Sequence, residues 1–322
     1  MTDRRRRQTL AALLALPAAA AVRAQAFPSR PIRVIVGYSP GGAVDIIARA
    51  LGEQLRTGLG QPIVVENKPG AGTNIANKLL IDSPPDGYTL MLAANALAAN
   101  VSLYQPPPYT LERITPVALV GRVPVVLATR TDSPVDSIKA VIQSSKAKPD
   151  SITYGSPGNG STPHLAVALF ESEAGIRLTH VPYKGGAPAI TDVLGGQIQA
   201  VAVNALEVLP HVKAGKLRVL AVMSAARAAI FPDAPTVAES GFPGFEASVW
   251  YGIVGPAGLP APIVTRLHES VQGALAAPAM RERLTAAGGE VTPATTARFA
   301  EMLQGEQRRY AKVIAEANIK PE

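Results

Sequence analysis

Residues 32–60 read IRVIVGYSPGGAVDIIARALGEQLRTGLG, and this stretch contains a strand, a loop and a helix in that order. Its first five residues are β-branched apart from one arginine, which is typical of a buried strand. Three glycines lie among the next six residues. Apolar side chains then recur at helical spacing as far as Leu59, and Gly58 and Gly60 end the helix. The stretch therefore predicts a β-loop-α unit.

The same unit recurs outward along the chain. Strands that alternate with helices indicate an α/β protein whose sheet is mostly parallel and covered on both faces. A proline-marked stretch at 105–108 divides the pattern into two halves. Strands are predicted at residues 63–65, 88–92, 117–129, 151–154, 178–181, 199–203, 217–222 and 247–254, and helices at 75–80, 137–146, 163–173 and in the C-terminal tail.

The composition excludes several classes of protein. Of the 322 residues, 47% are hydrophobic and 17% are charged, which fits a globular protein and excludes intrinsic disorder. Cysteine is absent, which excludes disulfides, thiolate catalysis and iron–sulfur clusters. No two of the four histidines have metal-ligand spacing, and no phosphate-binding GxGxxG or GxxxxGK[ST] motif occurs. We therefore expect no metal site and no cofactor.

The first 26 residues have the order of an export signal. Residues 4–7 are arginines, an apolar stretch covers 10–22, and Ala24-Gln25-Ala26 is a small-x-small cleavage site. We predict a cleavable signal peptide over residues 1–26, by the Sec or the Tat route, and a periplasmic mature chain. Without this segment 26 basic and 23 acidic residues remain, so we expect no nucleic-acid partner.

Two glycine-rich loops are the first candidates for a ligand site. In α/β sheets ligands bind at the carboxyl ends of strands, and the N-terminus of the following helix suits an anion. The loop at 37–42 could also be a plain βα turn. The loop at 155–162 carries three glycines, three hydroxyls and an amide ahead of a helix, where Ser161 or Thr162 could equally be a helix cap. A third loop at 67–74 contains Gly70-Ala71-Gly72.

Other polar residues leave alternatives open. Asp45 could accept a hydrogen bond from a ligand or complement the dipole of its helix. Asn204 follows a strand and could point an amide into a cleft. Lys184 is expected to be a solvated charge. Ser161 and His164 lie three residues apart, so a secreted serine hydrolase is one possible reading of the pair.

Several motifs together resemble the Bug family, the extracytoplasmic solute receptors of tripartite tricarboxylate transporters. The resemblance runs from about residue 27 to the C-terminus, and the order of the motifs makes it specific. The first loop departs from the family's more usual Pro-Phe-Pro-Pro-Gly-Gly and adds the hydroxyls of Tyr38 and Ser39. The motifs are Pro31-Ile32-Arg33, Pro40-Gly41-Gly42, Leu59-Gly60-Gln61-Pro62, Val65-Glu66-Asn67-Lys68, Pro69-Gly70-Ala71-Gly72, Pro85-Asp86-Gly87-Tyr88-Thr89-Leu90, Tyr154-Gly155-Ser156, Gly158-Asn159-Gly160-Ser161, His164-Leu165, His180-Val181-Pro182-Tyr183-Lys184-Gly185, Gly215-Lys216-Leu217-Arg218 and Pro235-Thr236-Val237-Ala238-Glu239.

The resemblance implies a two-lobed, type II-like periplasmic binding protein fold with two crossover hinge strands. Lobe one would comprise residues 27–127 and 251–322, and lobe two residues 128–250. Two loops, at 38–42 and 156–162, would pin a carboxylate ligand between the lobes. The implied ligand-binding residues are Tyr38, Ser39, Gly41, Gly42, Asp45, Gly72, Thr73, Ser156, Gly158, Gly160, Ser161, Thr162, His164 and Asn204.

The function that the resemblance implies is that of a periplasmic receptor without catalysis. It would capture a small organic carboxylate and deliver it to the membrane permease subunits of a tripartite transporter. We expect a monomer. Alternatives are a sensor that presents its ligand to a signalling protein, the secreted serine hydrolase, and the effector domain of a cytoplasmic regulator, which the signal peptide and the absence of DNA-binding helices disfavour.

Overall fold

The computed structural model describes residues 27–286 and 288–321, and the predicted signal peptide lies outside them. The ten strands of the described part are β1 (Ile32–Val36), β2 (Ile63–Asn67), β3 (Thr89–Ala93), β4 (Ile114–Arg130), β5 (Thr153–Ser156), β6 (Thr179–Pro182), β7 (Ala200–Asn204), β8 (Leu217–Val222), β9 (Ser248–Pro256) and β10 (Glu290–Val291). Its α-helices are α1 (Ala43–Leu59), α2 (Asn74–Ile81), α3 (Ala96–Leu103), α4 (Ile138–Ala147), α5 (Thr162–Ala174), α6 (Gly186–Leu194), α7 (Ala205–Lys213), α8 (Ala261–Ala276), α9 (Pro278–Ala286) and α10 (Thr296–Glu316).

The strands form two sheets that share the long strand β4. The order of the path is β2-β1-β3-β9-β4-β7-β5-β6, while β10 and β8 also pair with β4. The first part of β4 pairs with β9 as far as Pro124, and from Val125 onward its partner is β7. One continuous strand therefore leaves the first sheet and enters the second.

The prediction of a mostly parallel sheet is wrong where the chain crosses between the sheets. Strands β1, β2 and β3 pair in parallel, as do β5, β6 and β7. Strands β4 and β9 instead pair antiparallel with all their neighbours. The reason is that β4 carries the chain out of the first sheet and β9 brings it back.

The two sheets define two α/β lobes. The first lobe contains β1–β3, β9, β10 and the first part of β4, and the second contains the rest of β4 and β5–β8. The second crossing follows β8 and enters β9 at Ser248. The exact lobe bounds at 127/128 and 250/251 stay a prediction.

Buried aliphatic side chains on the strands hold each helix against its sheet. In α1 the buried residues recur at helical spacing from Val44 to Leu59, so one face of the helix packs on the sheet. The strand interiors of β3 and β7 are buried on both faces. Within residues 27–286 and 288–321, no helix combines the length and the apolar character needed to cross a membrane.

Candidate functional site

Two neighbouring cavities lie between the lobes. The outer cavity, of about 340 Å³, is bounded by loops from both lobes, and Lys184 lies in its wall. The inner cavity, of about 20 Å³, lies against the first turns of helices from both lobes. Tyr38, Pro157 and Ser161 line both cavities, so the two spaces adjoin.

Four helices begin at these cavities. Helix α1 starts after Gly42 and helix α6 after Gly185, and neither glycine supplies a side-chain cap. Helix α5 starts after Ser161, whose Oγ accepts a hydrogen bond from the backbone N–H of His164 at 3.4 Å. Helix α7 starts after Asn204. The positive ends of these helices therefore converge between the lobes.

The lobes touch each other around the cavities. The backbone N–H of Ser39 in lobe one donates to the carbonyl of Lys184 in lobe two at 2.8 Å, and the Ser39 hydroxyl donates to the same carbonyl. Gly72 lies so close to lobe two that a Cβ there would be 2.9 Å from the carbonyl oxygen of Asn159. The described structure is thus a closed arrangement of the lobes.

Eight of the predicted ligand-binding residues line the cavities. Both loops contribute, together with the short 3₁₀ turn that precedes α2 and the end of β7. The eight are Tyr38, Gly42, Gly72, Thr73, Gly158, Ser161, Thr162 and Asn204.

Three predicted residues of the first loop lie outside the cavity walls. Ser39 contacts Lys184, as described above. Asp45 is buried and accepts hydrogen bonds from the backbone N–H of Gly41, from Arg49 and from Asn67. Burial alone would raise the pKa of Asp45, but these bonds outweigh it and hold the pKa below its usual value. Asp45 therefore fixes the loop, and its charge is already paired.

Three predicted residues of the second loop support it from behind. The Ser156 hydroxyl bonds the backbone of Gly158 and lies 2.7 Å from His180 Nε2. The backbone N–H of Gly160 donates to His164 Nδ1 at 3.1 Å. The rings of His164 and His180 stack 4.0 Å apart, and burial lowers their pKa values to about 3 and about 4, so both are neutral.

This geometry gives no support to the serine hydrolase reading. The Ser161 oxygen caps α5, while Nδ1 of His164 is taken by the Gly160 amide. A hydrolase instead needs the base within hydrogen-bond reach of the nucleophile. The Ser156–His180 pair has that distance, but Ser156 is fully buried and lines neither cavity.

Glu207, which no sequence motif indicated, also lines the inner cavity. Its Oε1 accepts from Asn204 Nδ2 at 2.9 Å, whereas its Oε2 has no hydrogen-bond partner and is buried. Burial raises the pKa of Glu207 to about 7. Hydrogen bonds from the Asn204 side chain and from the backbone N–H groups of Asn204 and Ala43 act in the opposite direction but are outweighed. An acidic residue in the first turn of a helix is ordinary, so only the closed lobes reveal this environment.

The walls of the two cavities contain few charged side chains. Among the described residues that line the two cavities, Lys184 alone carries a positive charge. Across residues 27–286 and 288–321, no group of three or more histidine, aspartate or glutamate side chains is arranged to hold a metal ion. The walls of the two cavities therefore present glycine backbone, hydroxyls, amides, the carboxyl group of Glu207 and one lysine.

Comparison with known proteins places the chain in a family. The profile of the tripartite tricarboxylate transporter family receptor matches residues 47–319. Protein BugT of Bordetella pertussis is 39% identical over 305 residues, which cover 94% of each chain. The solved structure of periplasmic binding protein BugD is 33% identical with a TM-score of 0.88 over 92% of this chain and 100% of that chain.

A second solved structure, that of R. palustris Rpa4515 with adipate, is 32% identical. It covers 92% of this chain and 100% of its own, with a TM-score of 0.87. These likenesses confirm the two-lobed periplasmic binding protein fold that the resemblance implied. With a matching profile over most of its length and a relative at this identity, the chain belongs to the Bug family of tripartite tricarboxylate transporter receptors.

Proposed function

We propose that this protein is a periplasmic receptor that captures a small organic carboxylate between its lobes and delivers it to the permease subunits of a tripartite transporter. The adipate-bound relative supports a carboxylate as ligand. The main support is the outer cavity, whose wall contains the ammonium group of Lys184, the backbone of Gly72 and Gly158, and the hydroxyl of Ser161.

The carboxylate would lie in the outer cavity near the N-terminus of α5. A helix N-terminus offers free N–H groups and a positive partial charge, which suit an anion. Lys184 is exposed at this cavity, so its ammonium can approach the ligand and stay partly hydrated. Lys184 thus changes from the solvated charge expected from the sequence into a proposed ligand contact.

The cellular part of the proposal rests on the family and on the first 26 residues. The chain would be exported, cleaved before Phe27 and active as a monomer. Mass spectrometry of the protein from the periplasm tests export, and a mature N-terminus at Met1 or Thr2 would contradict it.

Calorimetry with a panel of small organic acids tests ligand capture. A carboxylate at 100 times its Kd is expected to stabilise the folded protein by about 2.7 kcal/mol, which a thermal shift also detects. Lys184→Met should weaken binding, whereas Lys146→Met, on helix α4 and away from both cavities, should leave it unchanged. If no carboxylate binds the folded protein, the proposal fails.

A further inference from the structure

The inner cavity presents a carboxylate, that of Glu207, which no basic side chain of the described cavity wall pairs. Glu207 is 7% exposed, and its Oε2 has no hydrogen-bond partner. Among the described residues, no lysine or arginine lines this cavity. A buried ionised group is costly unless it is paired and hydrogen-bonded, so a cation that entered this cavity would stabilise the ionised form of Glu207.

The Glu207 carboxylate lies against the N-terminal ends of two other helices. A Cβ at Gly42, before α1, would lie 3.5 Å from Glu207 Oε2, and a side chain at Gly186, in the first turn of α6, would overlap the carboxylate. Glu207 itself belongs to the first turn of α7. Three helix N-termini, one from lobe one and two from lobe two, therefore surround the carboxylate of Glu207.

Two further buried oxygens face the same space without partners. They are Asn204 Oδ1 and Tyr251 Oη, and both residues line the inner cavity. Asn204 Oδ1 can only accept a hydrogen bond, and Tyr251 Oη can also accept one. Tyr251 Oη can also donate, so Glu207 Oε2, when ionised, and Asn204 Oδ1 are the two oxygens here that can only accept, and an N–H donor of a ligand would satisfy them.

The size of the cavity limits what that donor can be. Its volume of about 20 Å³ is close to the space that one water molecule needs. An ammonium group has one heavy atom and fits this space. A carboxylate group has three heavy atoms and carries the same sign of charge as Glu207. The outer cavity, which shares Tyr38, Pro157 and Ser161 with the inner one, has room for the rest of a small ligand.

We propose that Glu207 makes this receptor selective for an amino carboxylate, with the ligand's carboxylate in the outer cavity and its ammonium group on Glu207 in the inner cavity. The inference rests on the proposed function and adds the chemical class of the ligand. A dicarboxylate of the same length would bring its second charge against Glu207 and would be rejected.

Matched ligand pairs test this selectivity. Each pair consists of an unbranched ω-amino acid and the dicarboxylate with the same number of methylene groups, from glycine and malonate upward to 6-aminohexanoate and pimelate. We expect calorimetry on the wild-type protein to show at least a tenfold preference for the amino member of the best-binding pair. The isosteric Glu207→Gln should lower the affinity for the amino member at least tenfold and raise the affinity for the dicarboxylate.

The matched control is Glu171→Gln on α5, because Glu171 is a second carboxylate with a pKa raised to about 7 by burial, and it lines neither cavity. It should keep the wild-type preference. A dicarboxylate that binds the wild-type protein as tightly as its amino partner overturns the selectivity but leaves the proposed function intact. If no member of any pair binds the folded wild-type protein but another acid of the wider panel does, the selectivity is overturned and the proposed function stands.

Discussion

Gly72 shows at the scale of one residue why glycine is needed where the lobes meet. Its φ of 57° is left-handed, and a Cβ there would lie 2.7 Å from Tyr104 Oη in its own lobe and 2.9 Å from the carbonyl oxygen of Asn159 across the cleft. Gly175 has the same backbone conformation, with φ of 60°, but has open space around it. The two glycines therefore separate the conformational role of glycine from its role in close approach.

Gly72→Ala is expected to weaken ligand binding at least tenfold, while Gly175→Ala should leave it unchanged. Gly175→Ala should lose about 1–2 kcal/mol of unfolding free energy, because alanine is strained at a left-handed φ. Gly72→Ala should lose more, because its Cβ would also clash with Tyr104 Oη. Calorimetry and denaturant unfolding measure the two effects separately. Equal ligand affinity in both variants would show that close approach at Gly72 is unimportant for binding.

Ser161 combines a structural task with a proposed ligand contact, and Ser137 isolates the structural one. Each serine caps a helix through its Oγ, Ser161 at α5 and Ser137 at α4, but only Ser161 lines the cavities. Replacement of either by alanine should cost about 1 kcal/mol of unfolding free energy. Ser161→Ala should also weaken carboxylate binding about 10- to 100-fold, since a hydrogen bond to a charged group contributes about 1.5–3 kcal/mol. Unchanged affinity in Ser161→Ala would remove Ser161 from the site.

At the scale of elements, the strand-loop-helix order could be predicted because its signals are local. Helix α5 starts where Ser161 and Pro163 indicate, and α1 ends at the glycine that stops its pattern. The Asp45–Arg49 pairing could also have been seen from its spacing of four residues on a helix. It would have shown that Asp45 was not a free acceptor.

The length of β4 and the role of Glu207 could not be predicted in the same way. Strand β4 continues through Pro116 and Pro124, residues that normally end a strand. A register shift follows Pro116, and Pro124 lies where the partner changes from β9 to β7, so neither proline interrupts a regular ladder. Glu207 gains its environment only when α1 and α6, from different lobes, approach it.

The stacked histidines between α5 and β6 make a pH-dependent contribution to stability. Burial lowers the pKa of His180 from 6.5 to about 4 in the folded protein. The unfolded chain therefore takes up the proton first as the pH falls. The contribution is complete above about pH 6.5 and is lost as the pH falls towards about 4, by up to about 1.4 kcal/mol per pH unit.

His180→Phe should remove this dependence while it keeps a ring stacked between Tyr154 and His164. The raised pKa values of Glu171 and Glu207 act in the opposite sense, so wild type and variant must be compared at each pH. Relative to His180→Phe, the wild-type protein should lose unfolding free energy between about pH 6.5 and about pH 5. Parallel curves from denaturant unfolding would contradict this role of His180.

At the scale of the whole molecule, the unpaired carboxylate opposes closure of an empty cleft. Closure moves Glu207 out of water and against lobe one, and among the described residues no lysine or arginine lines the inner cavity to pair its charge. A ligand that supplies an ammonium group removes that cost. Ligand binding and lobe closure would then be coupled, because the ligand has more affinity for the closed state than for the open one.

A disulfide between the lobes tests whether closure controls ligand exchange. A Cβ at Gly41 in lobe one would lie 3.8 Å from Cβ of Ala187 in lobe two, close to the usual separation in disulfides of about 3.8 Å. The chain has no cysteine, so Gly41→Cys with Ala187→Cys creates a single defined crosslink. Cysteine at the left-handed φ of Gly41 should cost about 1–2 kcal/mol of stability, which the single variant Gly41→Cys measures.

The oxidised double variant should have the same radius of gyration with and without ligand, and ligand should enter and leave it at least tenfold more slowly than in the reduced form. The reduced form and both single variants should contract on ligand binding in X-ray scattering, because their lobes can still open. Stopped-flow exchange measures the rates. If the oxidised protein exchanges ligand as fast as the reduced protein, the ligand reaches its site without separation of the lobes, and the cleft is not gated by closure.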